Sequence, residues 1–421
     1  MVDIAYQQNI HKYQIYSAIS GFTVVGPLLN LFYLSADISY SQLSLIETAS
    51  LITLVILEVP TGIISDLLGR KVSIFLGCIL MGCEFVLIAA GFTLPVFVLA
   101  ALIGGIGISL ESGADQSLLY DSLKKLKREN EFKKYLGRSG AIFKISAAFA
   151  GILWGYIYQY DQSLVFYLTG STFILLGFFS LTMKETVYRN TKKYQVSLII
   201  KTTVFDKFIS AKEHYHKAIK QICVRSYCTV RNNKKLLWML LFTSLVGTTI
   251  RAHSAIIRGP MLDGLLPNAG YLGIILAVGM GLSSIVSWYA DKLIAVTKSQ
   301  YILIAFPVVA GFVYIFCGLL NNLFIVALFF LIYILTAYKA VFLSDYWHRH
   351  FSSKQRGTLL SFIGASESFV GVFSLLGIGL LTDALGLNNS SIIIGLLVLS
   401  FGFLLTFVSV NIPVTIKKNC Y

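Results

Sequence analysis

Gly62-Ile63-Ile64-Ser65-Asp66-Leu67-Leu68-Gly69-Arg70-Lys71 is a short charged interruption between two long apolar runs, 41–65 and 72–92. Each run has the roughly 20 residues a helix needs to cross a bilayer. The interruption is so short that it can only turn the chain back. Outward from this turn, the same alternation of apolar run and polar connection fills the chain. Apolar runs at 13–35, 41–65, 72–92, 95–120, 139–160, 163–183, 236–257, 270–290, 299–320, 322–345, 357–382 and 389–413 predict an all-α polytopic membrane protein. It would have twelve transmembrane helices in two six-helix bundles.

Composition agrees. Of 421 residues, 56% are hydrophobic and only 13% charged, against about 25% charged in a soluble domain. Mean hydropathy is +0.75. Seven prolines rule out a disordered or collagen-like chain. The connections leave no room for a large catalytic domain, and no H-E-x-x-H, G-x-S-x-G or P-loop occurs, so no enzyme activity is expected. The cysteines (Cys78, Cys83, Cys223, Cys228, Cys317, Cys420) are scattered and form no disulfide framework. His214, His216, Cys223 and Cys228 have the spacing of no common zinc module, so neither metal nor cofactor is expected. The first apolar run is long and lacks a small-residue cleavage site, unlike a secretory signal.

Net charge is +14, and its distribution explains it. When alternate connections are grouped, one set carries 30 of the 34 Lys and Arg and the other only Arg258; Lys144, Arg251 and Lys339 fall inside runs. The rich set, with both termini, is therefore expected in the cytoplasm of a cell membrane. The basic excess is topological and implies no nucleic-acid partner. The stretch 184–235 is too long for a turn. Phe205, Phe208, Ile209, Tyr215, Ile219 and Ile222 recur at helical spacing among lysines, which predicts amphipathic helices at the headgroup level with anionic lipid as partner. The organisation expected is thus a bundle in 1–183, a basic linker in 184–235 and a second bundle in 236–421. Tyr120-Asp121 before Gly137-Arg138 is echoed by Ser344-Asp345 before Arg356-Gly357, as in parallel internal repeats.

The 62–71 turn resembles the signature loop of the major facilitator superfamily: a glycine, Asp four residues on, then Gly-Arg-Lys. Glu58-Val59-Pro60-Thr61, Glu111-Ser112-Gly113-Ala114-Asp115 and Leu119-Tyr120-Asp121 resemble one bacterial, efflux-like branch of it. The resemblance implies the twelve-helix fold, a small-molecule substrate, a monomer, and a gate network that would include Gly62, Asp66, Gly69, Arg70, Lys71, Glu58, Asp121 and Arg138. It also implies a central cavity lined by spans one, four, seven and ten. The chain departs from the family pattern at Leu67, where a second basic residue is common. It departs again near Ala101, where many proton-driven members have Arg, and in 148–155, where many antiporters carry Gly-Pro.

An ionisable side chain inside a span costs on the order of 2.5–3.5 kcal/mol on insertion scales and marks a functional candidate. Glu111 and Asp115 are four apart and would share a helix face with Gly104 and Gly107, leaving space beside the carboxylates. Arg251 lies in a polar stripe with Ser244, Gly247, Thr248 and Ser254. Asn30 and Lys339 stand on the first and tenth spans. Glu367 could face a cavity or a packing surface, and Glu84 a cavity or a neighbouring helix. Glu47 could reach water at a helix end, and Lys144 could pair with Asp115. Within the spans, carboxyls outnumber bases, so some must be protonated, reach water or meet a cation from outside. Glu111, near mid-span, is the leading candidate for proton coupling. The expected function is secondary transport of a small amphipathic molecule by proton-coupled efflux. Proton-coupled uptake by symport and a non-transporting receptor or scaffold are the alternatives. Arg251 points instead to an anionic group on the substrate.

Overall fold

The computed structural model describes residues 2–186, 234–296, 299–350 and 356–410. Helix covers at least part of each apolar run. The first half holds α1 (Val2–Gly21), α2 (Leu28–Ser35), α3 (Tyr40–Leu68), α4 (Arg70–Ala90), α5 (Leu94–Glu111), α6 (Ala114–Lys125), α7 (Phe132–Tyr158) and α8 (Gln162–Leu181). The second holds α9 (Lys234–Phe242), α10 (Thr248–Ile256), α11 (Arg258–Asp263), α12 (Gly270–Val296), α13 (Ser299–Leu319), α14 (Phe324–His350) and α15 (Arg356–Val410). Among the described residues, eight helices are long and apolar enough to cross a membrane. One of them, Ile363–Leu404, runs through the non-helical Gly386 (φ +78°) and so joins two of the expected runs. The amphipathic helices expected in the basic linker lie outside the described residues.

Three runs read as continuous helices are broken. The first breaks between α1 and α2, where Gly26 takes φ +53° ahead of Pro27, which has no N–H to continue a helix. The fourth breaks at Ser112-Gly113, with Gly113 left-handed at φ +77°. The seventh contains a π-helical turn over Thr243–Gly247, a distortion often found at functional sites.

Small residues set the helix approaches. Gly77 on α4 and Gly107 on α5 face each other so closely that a Cβ on either would come 2.7–2.8 Å from the other's carbonyl oxygen. Around them lies one continuous core that includes Phe32, Phe97, Phe166, Tyr314 and Phe329.

The two halves meet at the end opposite the basic connections. There Gly155 on α7 abuts Gly270 on α12, Gly379 on α15 abuts Tyr40, and Gly259 abuts Pro27. Asn30 donates to the Ala255 carbonyl and Gln159 to Asn268 at 3.0 Å. Towards the basic end, a Cβ on Gly62, Gly137, Gly140, Gly281 or Gly364 would meet nothing within 4 Å among the described residues. Among the described residues, the contacts named between the halves cluster at the end opposite the basic connections, which is here called the sealed end.

Candidate functional site

The fourth run supplies Glu111 as the last residue of α5 and Asp115 in the first turn of α6. They do not share one unbroken helix face, because the chain turns at Gly113 between them. Helix α1 restores their register. Tyr16 donates its hydroxyl to Glu111 at 2.9 Å and Tyr13 donates to Asp115 at 3.1 Å. The two rings stack 6.5 Å apart. The result is a ladder of two acids against two phenols, with the Cys78 thiol 3.4 Å from the Tyr16 oxygen. Asp115 gains from the amino end of α6, whereas Glu111 sits at the carboxyl end of α5, where the helix dipole opposes a negative charge.

Glu111 is not at mid-span. It packs beside Gly77, seven residues into α4, which places it about 10 Å from the basic end at 1.5 Å per residue. The space expected at Gly104 and Gly107 is filled. A Cβ at Gly104 would collide with the Glu84 carboxylate, and Gly107 is closed by the backbone of Gly77.

A cavity of about 380 Å³ opens beside the ladder, lined among the described residues by first-half residues that include Glu47, Glu84, Glu111 and Tyr16. Glu84, expected at a cavity or a neighbouring helix, meets both, lying on Gly104 while bordering the cavity. Glu47 also borders it, close enough to Glu84 for their charges to interact. Asn30 is not part of this lining. It is buried where it ties α2 to Ala255.

The second half presents a separate charged group. Arg251 on α10 pairs with Glu367 on α15 at 3.5 Å, with the guanidinium side chain two-thirds exposed. Lys339 on α14 reaches the π-helical turn, where a Cβ on Gly247 would lie 3.0 Å from its Nζ. The same Nζ is 5.3 Å from the centre of the Phe306 ring, and its charge is within reach of Glu367 and Arg251. His253 is fully buried, stacked on Tyr314 at 3.8 Å with Nε2 3.0 Å from the Ser391 hydroxyl. It is a packing residue. No ion pair joins Lys144 to Asp115 among the described residues.

At the 62–71 turn, Gly69 links α3 to α4 at φ +105°. The Glu185 carboxylate, just beyond α8, accepts the amide hydrogens of Arg70 at 3.1 Å and Lys71 at 3.2 Å. Arg70 Nε stands 3.8 Å from Asp121, and Thr186 donates to the same carboxylate at 3.5 Å. Glu58 is exposed. Arg138 is exposed and lies 6.0 Å over the Tyr135 ring. The gate role expected of the Asp66 side chain lies outside the described residues.

Comparison with known proteins follows this geometry. The family model described as Major Facilitator Superfamily matches residues 16–374. The chain is 24% identical over 272 residues to the uncharacterized MFS-type transporter YxaM of Bacillus subtilis (strain 168), covering 63% of this chain and 61% of that one. It is 23% identical over 185 residues to the quinolone resistance protein NorA of Staphylococcus aureus, covering 44% and 46%. The chain thus spans between about half and three-fifths of these relatives' lengths. Among solved structures, the nucleoside transporter NupG superposes with a TM-score of 0.75 at 11% identity, over 96% of this chain and 100% of that one. A POT family transporter in complex with a thioalcohol-conjugated peptide gives 0.67 at 14% identity, over 96% of each chain. These two likenesses show the fold.

Proposed function

The chain is a member of the Major Facilitator Superfamily, and from that premise we propose that it exports a small amphipathic molecule across the cell membrane by proton-coupled alternating access. The observation that carries the reading is the Tyr16–Glu111 and Tyr13–Asp115 ladder beside a cavity. A phenol can donate to a carboxylate and accept from a carboxylic acid. Each tyrosine therefore keeps its hydrogen bond whether the acid is charged or neutral, and a proton can come and go without unravelling the site. The break at Gly113 puts the two acids on separate helical segments, so a proton on one can bias the angle between them.

The basic connections are taken as cytoplasmic on their charge. The sealed end then faces outward, the basic end opens to the cytoplasm, and this conformer admits substrate from inside. Similarity to a quinolone resistance protein over 185 residues supports the outward direction. Arg70–Asp121 and the Glu185 cap hold the turns that would close against the second half in the opposite conformer. Anionic lipid at the basic end and a monomeric state complete the proposal.

The test is accumulation of a fluorescent lipophilic cation in cells with and without the protein, repeated with a protonophore. Lower accumulation in expressing cells, abolished by the protonophore and by Glu111→Gln, is the expected result. Export that survives Glu111→Gln with its pH dependence intact would contradict the assignment.

A further inference from the structure

Resting on the transporter reading, we propose that the cavity within the first half is a binding site for an organic cation, held by Glu47 and Glu84 between aromatic walls. The cavity passes between the helices of one half and is lined by Tyr33, Phe85, Phe143 and Phe173 as well as the acids, with no Lys, Arg or His in its lining among the described residues. Its volume of about 380 Å³ falls at the small end of the 300–1,000 Å³ usual for small-molecule sites.

Glu47 and Glu84 differ from the ladder acids. Neither has a hydrogen bond or ion pair among the described residues, while Glu111 and Asp115 each have a phenol. Glu47 stands seven residues into α3 and Glu84 six from the end of α4. Both are therefore about 10 Å from the sealed end, whereas Glu111 is about that far from the other. One cavity thus has a phenol-partnered acid low down and two acids lacking a base higher up. Carboxyls this deep in a membrane protein stay neutral or meet a positive partner, and a cation entering the cavity would supply that partner to both.

The walls say which kind. Phe85 and Phe173 stack at 5.6 Å, and Tyr33 is fixed edge-on against Phe97 at 4.7 Å. Ring faces attract weakly hydrated ammonium groups and form the cages that recognise them. A hard metal ion needs six or more oxygens, which two carboxylates among aromatic carbons do not supply. No group of three or more metal-ligating side chains occurs among the described residues. Gly104 completes the site, since any larger residue would displace the Glu84 carboxylate. In the second half, Glu367 is already paired with Arg251.

Equilibrium binding to the purified full chain in lipid nanodiscs, without a proton gradient, tests this. The probe is radiolabelled benzyltrimethylammonium, competed by its uncharged isostere neopentylbenzene. Saturable binding of the cation, with the isostere weaker by about tenfold or more, is expected. Glu47→Gln and Glu84→Gln should each weaken binding by about tenfold or more, and the exposed control Glu129→Gln should not. Absence of cation binding, equal binding of both probes, or unchanged binding in both glutamine variants would overturn the site. The charge comparison uses the unsubstituted protein, so it decides even if a variant fails to fold. Loss of this site leaves the protonophore test standing. Conversely, export that ignores a protonophore would remove proton coupling and leave cation binding intact.

Discussion

The Asp383 carboxylate of the second half caps the first turn of α3 in the first half, its Oδ1 2.8 Å from the Tyr40 amide. Its other oxygen takes the Ser41 amide at 2.9 Å. A carboxylate at a helix amino end satisfies otherwise unpaired N–H groups and complements the dipole, and here it does so across the two halves at their sealed end. Under the proposed alternating access it is a latch that would open when the halves exchange. Asp383→Ala should cost the sealed conformer about 1 kcal/mol, raising the population open at that end about five-fold. Spin labels at the exposed positions Phe92 and Leu323 would report a larger long-distance fraction. An unchanged distance distribution would show that the cap does not bias the equilibrium.

Tyr16→Phe keeps the buried ring and removes the hydroxyl that serves Glu111 and Cys78. Thermal stability should fall by about 1 kcal/mol, while proton-coupled export falls about tenfold or more because Glu111 loses the partner that accommodates both its protonation states. Export at the unsubstituted level would assign the ladder a structural role.

Gly69→Ala places a Cβ at φ +105°, against the Glu185 carboxylate. The strain is of order 1–3 kcal/mol, and the displaced carboxylate also uncaps α4. A marked drop in melting temperature is expected in detergent. Glu185→Ala, which loses only the cap, should cost less, about 1 kcal/mol. If Gly69→Ala were neutral, the turn would not need its left-handed geometry.

Arg251 and Glu367 form an ion pair whose guanidinium is largely exposed. Such pairs contribute about 0–1 kcal/mol. A double-mutant cycle with Arg251→Gln and Glu367→Gln should give a coupling in that range, and the charge-reversed pair should restore it. A coupling well above this would mean the pair is desolvated in the membrane and locks α10 to α15.

The helices were legible because length and apolarity report membrane crossing directly, and Glu111 stood out because a charge in an apolar run is costly. The breaks were harder to read. Ser112-Gly113 sits inside a run whose hydropathy is that of an unbroken helix, and only the left-handed φ of Gly113 separates Glu111 from Asp115. Tyr13 and Tyr16 were passed over although they stand three apart on one helix face, since phenols are unremarkable in a membrane span until the acids opposite are known. Glu185 hid among the polar residues after α8, where nothing local links it to the amides of Arg70 and Lys71. Glu367 and Arg251 were each singled out, but their pairing joins residues far apart in the chain, and periodicity carries no information about that. The same holds for Asp383 and Tyr40.

Proton coupling at Glu111 is the central claim, and the most direct measurement is internal pH in proteoliposomes during transport. With a pH-sensitive dye inside and a lipophilic cation added outside, the unsubstituted protein should produce a substrate-dependent pH change that collapses in Glu111→Gln. A pH change of equal size in Glu111→Gln, at matched reconstitution, would contradict the account.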